Sequence, residues 1–312
     1  MLHFVTLPLM KYVKTITPAY RRNIFVMVQP TARMVLMKQT VVQPTHLLLL
    51  YVILLGVCCL TVSVPKMMVL VTFEDSINDE NIDFYKQIFS GKYLNPNNCP
   101  IAATFFVSHQ YNNYFFTQKL WNHGHEIAVH SISHKLPEEW WAENATIEDW
   151  FDEMVGQANI LNKFSTVRLT EIKGLRAPFL RIGWNRQYLM MNEFGFLYDS
   201  SMVAPFSYVP LWPYTLDYKI PHQYVVLSKP DVWFVTNSQA IEWMQHPTPL
   251  KKLLKFHPWD CRKHVKQARE IACQTPNNCQ LASRALKQDV ELQTCNKCPK
   301  KYPWVKNEFG AN

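Results

Sequence analysis

Three short clusters in the 312-residue chain combine residue types that can do chemistry: Glu74-Asp75, His130-Ser131-Ile132-Ser133-His134 and Arg176-Ala177-Pro178-Phe179. Carboxylates and neutral imidazoles are ordinary ligands of a divalent ion such as zinc, and three protein ligands leave a position open for water. Asp75, His130 and His134 make up an Asp-His-His set of that kind. An H-x3-H pair alone says little, because most such pairs hold no metal. An acidic pair at a second strand end strengthens it. Two adjacent carboxylates can divide labour, one as ligand and the other, Glu74, as general base. Arg176 carries a planar fork suited to orienting a carboxylate through two hydrogen bonds. A surface ion pair is the plainer use of the same arginine.

Each cluster needs an element to position it, and each follows a short apolar run. Met67–Phe73 is apolar throughout and stops abruptly at Glu74-Asp75, which predicts a buried parallel strand. Strands are likewise predicted at Ala102–Val107, Glu126–Val129, Gly174–Arg176, Phe196–Asp199 and Val232–Thr236. Helical stretches fall between them at Asn81–Phe89, Thr117–Asn122, Ile147–Lys163, Arg186–Glu193 and Gln239–Met244. Alternating strands and helices predict an α/β fold with a mostly parallel sheet, open or closed as a barrel. Sites in such folds form at the carboxyl ends of strands, where all three clusters sit.

The texts T-F-E-D at Thr72–Asp75, H-S-I-S-H at His130–His134 and R-A-P-F at Arg176–Phe179 resemble the first three motifs of the NodB-type polysaccharide deacetylases, carbohydrate esterase family four. GHEIAVHSISH (124–134), LWPYTLDYKIPH (211–222), VWFVTNSQAIEWMQHPTPL (232–250) and CNKCPKKYPWVKNEFG (295–310) narrow the resemblance to arthropod chitin deacetylases. It runs from about Lys66 to the C-terminus and does not cover the first 65 residues. It implies a distorted (β/α) barrel and a metal held by Asp75, His130 and His134. It further implies a base at Glu74 kept in place by Arg176, and removal of N-acetyl groups from chitin or a related N-acetylglucosamine polymer. Two departures point to reduced activity. The family carries Asp where this chain has Glu74, and one methylene shifts a carboxylate by about 1 Å, a misplacement that can cost roughly 10²-fold. The text also passes from Pro221-His222 to Val225–Asp231 without the segment that holds the family's last two motifs and its general acid. His257 is not expected to replace that acid, because its flanks resemble the tail. The barrel is therefore expected to be incomplete. Two alternatives are a non-catalytic glycan-binding protein of the extracellular matrix, and an incomplete product of an active deacetylase gene.

Composition and charge bound the rest. Apolar residues make up 48% and charged residues 18%, which suits a globular core. The net charge of +8 sits at the two ends. Residues 1–65 hold six basic and no acidic residues, residues 246–312 hold 13 basic and 5 acidic, and the middle is left at −6. A nucleic-acid groove needs basic residues clustered on the folded domain, so none is expected. Leu47–Val64 is an uncharged run of 18 residues with basic residues only before it. It reads as a signal peptide or a signal anchor, with the following domain lumenal, secreted or in the extracellular matrix. Cys99, Cys261, Cys273, Cys279, Cys295 and Cys298 form an even set fit for three disulfides, with the pairing open. Asn144-Ala145-Thr146 is a glycosylation sequon. The expected organisation is a basic leader over 1–46, the apolar segment over 47–64, the deacetylase-like domain over 66–245 and a Cys-rich tail over 246–312.

Overall fold

The apolar run Met67–Glu74 forms strand β1. Its residues alternate between two buried faces: Val69, Val71 and Phe73 enter one core cluster, and Met68 and Leu70 the other. This is the period of two expected of a strand covered on both sides. The same alternation sorts Phe105 and Val107 from Phe106, and Ile127 and Val129 from Ala128. The computed structural model describes residues 67–204, 232–261 and 270–311, together with backbone strands at Phe25–Val26, Gln29–Pro30, Tyr51–Leu55 and Tyr214–Thr215.

Five further strands follow: β2 (Thr104–Val107), β3 (Glu126–Val129), β4 (Gly174–Leu175), β5 (Tyr198–Asp199) and β6 (Val232–Val235). They order as β5-β4-β3-β2-β1-β6, every pair parallel, and curl into half of a (β/α) barrel. The helices between them are α1 (Ile82–Ile88), α2 (Tyr114–Asn122), α4 (Asn185–Phe194), α5 (Asn237–Gln245), and α3, which runs through Ile147–Trp150, a π-helical turn at Phe151–Val155 and Gly156–Ser165. Helix α2 starts three residues earlier than the sequence predicts because the Asn113 side chain caps it, accepting from the Phe116 amide at 3.2 Å. A reciprocal capping box between Thr146 and Asp149 fixes the start of α3.

Two short segments from before residue 67 also join the sheet, one on the outer edge of β5 and one along β1, inside the strand order. Phe25–Val26 pairs parallel with β5, and Tyr51–Leu55 runs antiparallel to β1, Tyr51 opposite Thr72 and Leu55 opposite Met68. Five residues of the apolar run thus form a ladder with the first barrel strand. No described helix is long and apolar enough to cross a membrane. The remaining expectations for 1–46, 47–64 and the passage from His222 to Val225 lie outside the described residues.

The tail folds as a hairpin, β7 (Asn277–Ser283) with β8 (Gln288–Thr294), whose Cys279, Leu281, Val290 and Leu292 join the main core cluster. All six expected cysteines are paired: Cys99–Cys261, Cys273–Cys295 and Cys279–Cys298, with Cα separations of 5.7, 5.6 and 5.6 Å. A buried His109 fastens the tail further. Its Nε2 lies 2.7 Å from the Pro303 carbonyl and its Nδ1 meets the Tyr114 hydroxyl at 2.5 Å, so Nε2 donates and Nδ1 accepts.

Two outcomes are expected. The Tyr198 ring lies over Gly174, and a Cβ there would stand 2.0 Å from a ring carbon. Gly174→Ala should therefore cost about 3 kcal/mol or more in urea unfolding, the upper end of overpacking penalties. Burial holds His109 down to about 4, against the opposing Pro303 bond, and His125 down to about 3, with His123 adding to the effect. Both are neutral in the folded protein while the unfolded chain takes up protons near pH 6.5. Their stabilisation is full above pH 6.5 and falls as pH drops toward 4, by about 3 kcal/mol for His109 alone. Buried Asp199, raised to about 6, acts oppositely, since its stabilisation grows as pH falls through 6. The two histidines outweigh it, so the urea midpoint should be lower at pH 4.5 than at pH 7, and His109→Gln should flatten that dependence.

Candidate functional site

Glu74 is the last residue of β1, and Asp75 continues the ladder, its amide donating to the Phe106 carbonyl at 3.0 Å. The chain then turns: Asp75 has a φ of 91°. That left-handed conformation breaks the pleat that would otherwise send adjacent side chains to opposite faces. Asp75 Oδ1 accepts from the Ser108 hydroxyl at 2.5 Å and from the Ser76 amide at 2.8 Å. Asp75 is exposed at the end of the sheet, while Glu74 is half-buried behind it.

His130 and His134 come from the loop after β3. His130 is buried, and its Nδ1 lies 2.9 Å from the Arg176 carbonyl. A carbonyl can only accept, so Nδ1 carries the proton and Nε2 keeps a lone pair for a ligand. The two imidazole rings are 5.2 Å apart between centroids, and His134 lies edge-on to Phe179 at 4.4 Å. Ser131, His134, Phe179 and Leu180 have φ values of 81°, 46°, 56° and 56°. Each such residue costs of order 1–3 kcal/mol and persists only where its surroundings hold it. Glu153 of α3 provides that restraint for the histidine loop: its carboxylate accepts from the Ile132 amide at 3.0 Å, the Ser133 amide at 2.9 Å and the Ser133 hydroxyl.

Arg176 has no exposed surface, which removes the surface ion pair from consideration. Its donors are divided between β1 and the chain after β5: Nη1 donates to Glu74 Oε2 at 3.1 Å, Nη2 to Thr72 Oγ1 and Ser200 Oγ at 3.1 and 3.0 Å, and Nε to the Ser200 carbonyl at 3.1 Å. The guanidinium also stacks over Phe106 at 4.2 Å. Beside it, the Ala177 amide donates to Ser201 Oγ at 2.7 Å, and Ser201 bonds the buried Asp199.

The electrostatics follow from this packing. Burial pushes the Glu74 carboxyl up, but His130 and the charge and hydrogen bond of Arg176 outweigh it and leave it below its ordinary value. Burial also raises Asp75, and the Ser108 bond, His130 and the Ser76 amide bring it below its ordinary value. His134 is held down to about 4 by burial and by His130, against the pull of Asp75 and Glu74. At neutral pH both carboxyls are ionised and His134 is neutral, the protonation states a metal ligand needs. This donor chemistry fits a divalent cation at Asp75, His130 and His134. Their donor atoms are spaced more widely than a closed coordination shell. Among the described residues, only Cys99, Asp260 and Cys261 bring three ligand-type atoms within 4.8 Å of one another. Those two sulfurs are bonded to each other, and a disulfide offers no thiolate to a metal.

The remaining predicted residues lie away from this end. Asn144 is exposed at the close of the π-helical turn Trp140–Asn144. His257 lines a cleft with Gly124, His125 and Glu126, ahead of β3, at the end of the strand opposite His130.

In sequence, the chain is 33% identical over 344 aligned positions to chitin deacetylase 1 of Bombyx mori, covering 79% of this chain and 63% of that protein. The chain is a sequence relative of the chitin deacetylases. It is also 27% identical to chitin deacetylase 8 of Bombyx mori, over 78% of this chain and 85% of that one. No protein-family model matches the chain. The chain spans just under two thirds of chitin deacetylase 1, and the 344-position alignment exceeds its own 312 residues, so the relative fills positions that this chain leaves empty. Among solved structures, a peptidoglycan N-acetylglucosamine deacetylase aligns at 20% identity and TM-score 0.33, over 41% of this chain and 54% of that one. The catalytic domain of a second, from Eubacterium rectale, aligns at 18% and 0.30, over 41% and 56%.

Arg176→Met should destabilise the protein by about 3–5 kcal/mol in urea unfolding, because it strands the Glu74 carboxylate beside an apolar side chain. Adding Glu74→Gln should recover part of that loss, and the difference measures the pair's coupling. Fully additive effects would mean that the two side chains do not interact.

Proposed function

We propose that this chain is a chitin deacetylase-like, metal-dependent hydrolase of N-acetylglucosamine polymers with reduced activity. The observation that carries this reading is that Glu74-Asp75 and the two histidines of H-S-I-S-H share one end of the sheet with Arg176, in a chain related to the chitin deacetylases. A divalent cation, zinc by donor type, would be held by Asp75, His130 and His134 and would supply the Lewis acidity that polarises an acetamide carbonyl. Ionised Glu74 accepts a proton from the attacking water, and Arg176 fixes where its carboxylate can reach. Ser108 and Ser76 orient Asp75, and the Arg176 carbonyl sets the His130 tautomer.

Reduced activity has two supports. Glu74 is one methylene longer than the aspartate expected there. Among the described residues, His257, the histidine considered as a substitute proton donor, lies at the wrong end of the sheet. The leaving amine then departs without a positioned acid, a deficit of about 10²–10⁴-fold. The same two facts favour the second reading, a glycan-binding matrix protein without turnover. The positions left empty against chitin deacetylase 1 favour the third, an incomplete product of an active gene. A secreted or extracellular-matrix location belongs to the proposal, and the membrane-anchored form through 47–64 is not retained, because Tyr51–Leu55 of that segment pairs with β1. The supports for that location are three disulfides, which persist in oxidising compartments, and the exposed sequon at Asn144.

Purified protein should contain about one equivalent of metal by elemental analysis, and His130→Ala should lose it. Acetate release from acetylated chito-oligomers should be slow, and Glu74→Asp should raise it without reaching the rate of a complete relative. Unchanged metal content in His130→Ala would overturn the ligand assignment, and a wild-type rate equal to that of a complete relative would overturn the missing-acid argument.

A further inference from the structure

A cleft of about 450 Å³ opens beside the H-S-I-S-H loop, within the roughly 300–1,000 Å³ typical of ligand sites. It adjoins the histidine loop directly, because Ser133, the neighbour of His134, lines it together with Glu153, the carboxylate that holds that loop. Its far wall is the tail: Ala285 of the β7–β8 turn and Trp304.

Two half-buried indoles face this space, Trp140 from the turn after β3 and Trp304 from the tail. Both are fixed in place. Trp140 packs edge-on against the fully buried Trp141 at 5.0 Å, with Lys135 Nζ over its ring at 4.0 Å. Trp304 exchanges backbone hydrogen bonds with Asn307 and lies near His109, 5.9 Å between centroids. The tail wall is also registered to the candidate metal site. Ser108 bonds Asp75, and the next residue, His109, bonds the Pro303 carbonyl just before Trp304. Rigid aromatic planes with a few charged groups between them suit one ligand chemistry well. A pyranose ring lays its apolar C–H face on an indole, while its hydroxyls and amide meet the carboxylates and the ammonium. Such a chain is uncharged, so it needs no net charge from the wall.

We infer that this cleft binds further sugar units of a β-1,4-linked N-acetylglucosamine chain whose reacting unit lies at Glu74 and Asp75, with the disulfide-held tail as its second wall. The inference rests on the hydrolase reading above for the identity of the chain. It makes the tail a part of substrate binding in addition to its place in the core.

Calorimetric titration of the full chain with chitobiose, chitohexaose and cellohexaose tests it. Trp304→Ala, and Ala285→Trp at an exposed turn position that would crowd the cleft, should each lower the hexamer-to-dimer affinity ratio about tenfold. Circular dichroism checks that both variants fold, and Ala285→Trp keeps the test available if Trp304→Ala does not. Wild-type protein that binds neither chito-oligomer overturns the hydrolase reading and this inference together. Wild-type binding with an unchanged ratio in the variants overturns the cleft assignment alone. Cellohexaose bound as tightly as chitohexaose overturns the requirement for N-acetyl groups.

Discussion

A guanidinium with no exposed surface has to be neutralised and hydrogen-bonded from within the protein, and Arg176 meets that demand by drawing three parts of the sheet together. Glu74 and Thr72 come from β1, the Ser200 hydroxyl and carbonyl from the chain after β5, and the Phe106 ring from β2. The Arg176 carbonyl, meanwhile, fixes the His130 ring. One residue thus sets the position of the candidate base with its side chain and the tautomer of a candidate ligand with its backbone. Moving either strand end would leave a charge unpaired at a cost far above that of an ordinary lost contact. The local strain at Asp75, Ser131, His134 and Phe179 depends on this arrangement, because left-handed backbone outside glycine survives only where the surroundings over-determine it.

The helix layer supplies the second restraint. Glu153 reaches from α3 into the loop between the two histidines and satisfies two amides and a hydroxyl there. Burial raises its pKa, against the bonds from Ser133 and Ile132. The side chains that would touch a ligand are therefore backed by Ser108, Glu153, Ser200 and Ser201, all supplied by other segments of the chain.

Much of the fold was legible in the sequence. The apolar runs that end in polar clusters became β1 to β6 close to their expected bounds, because strands buried on both faces need continuous apolar text. Glu74, Asp75, His130, His134 and Arg176 share one end of the sheet as their order implied. The supporting residues were not legible. Ser108, Ser200 and Ser201 are unremarkable in the text, and Glu153 lies in an amphipathic stretch where a carboxylate reads as a solvated face. A buried polar partner is defined by what stands opposite it across the fold, a relation that no local period records. The hairpin β7–β8 was also missed, since its alternation of buried and exposed residues was obscured by five nearby cysteines and several lysines. Those five and Cys99 allow fifteen full pairings in sequence and adopt one in the fold.

The pairing of β1 with β6 has a consequence for biosynthesis. β1 is the first strand of the barrel to leave the ribosome and β6 the last, and the Cys99–Cys261 bridge joins positions 162 residues apart near the same boundary. Strands β1 to β5 can associate as they emerge, each with its predecessor or near neighbour. One edge of β1 must wait until nearly the whole chain has been made. Contacts of such long sequence separation form slowly, and an unpaired strand edge is where partly folded chains meet one another. The interval between the synthesis of β1 and the arrival of β6 is thus the period of greatest exposure to misassembly, and the long-range disulfide can form only when that interval has ended.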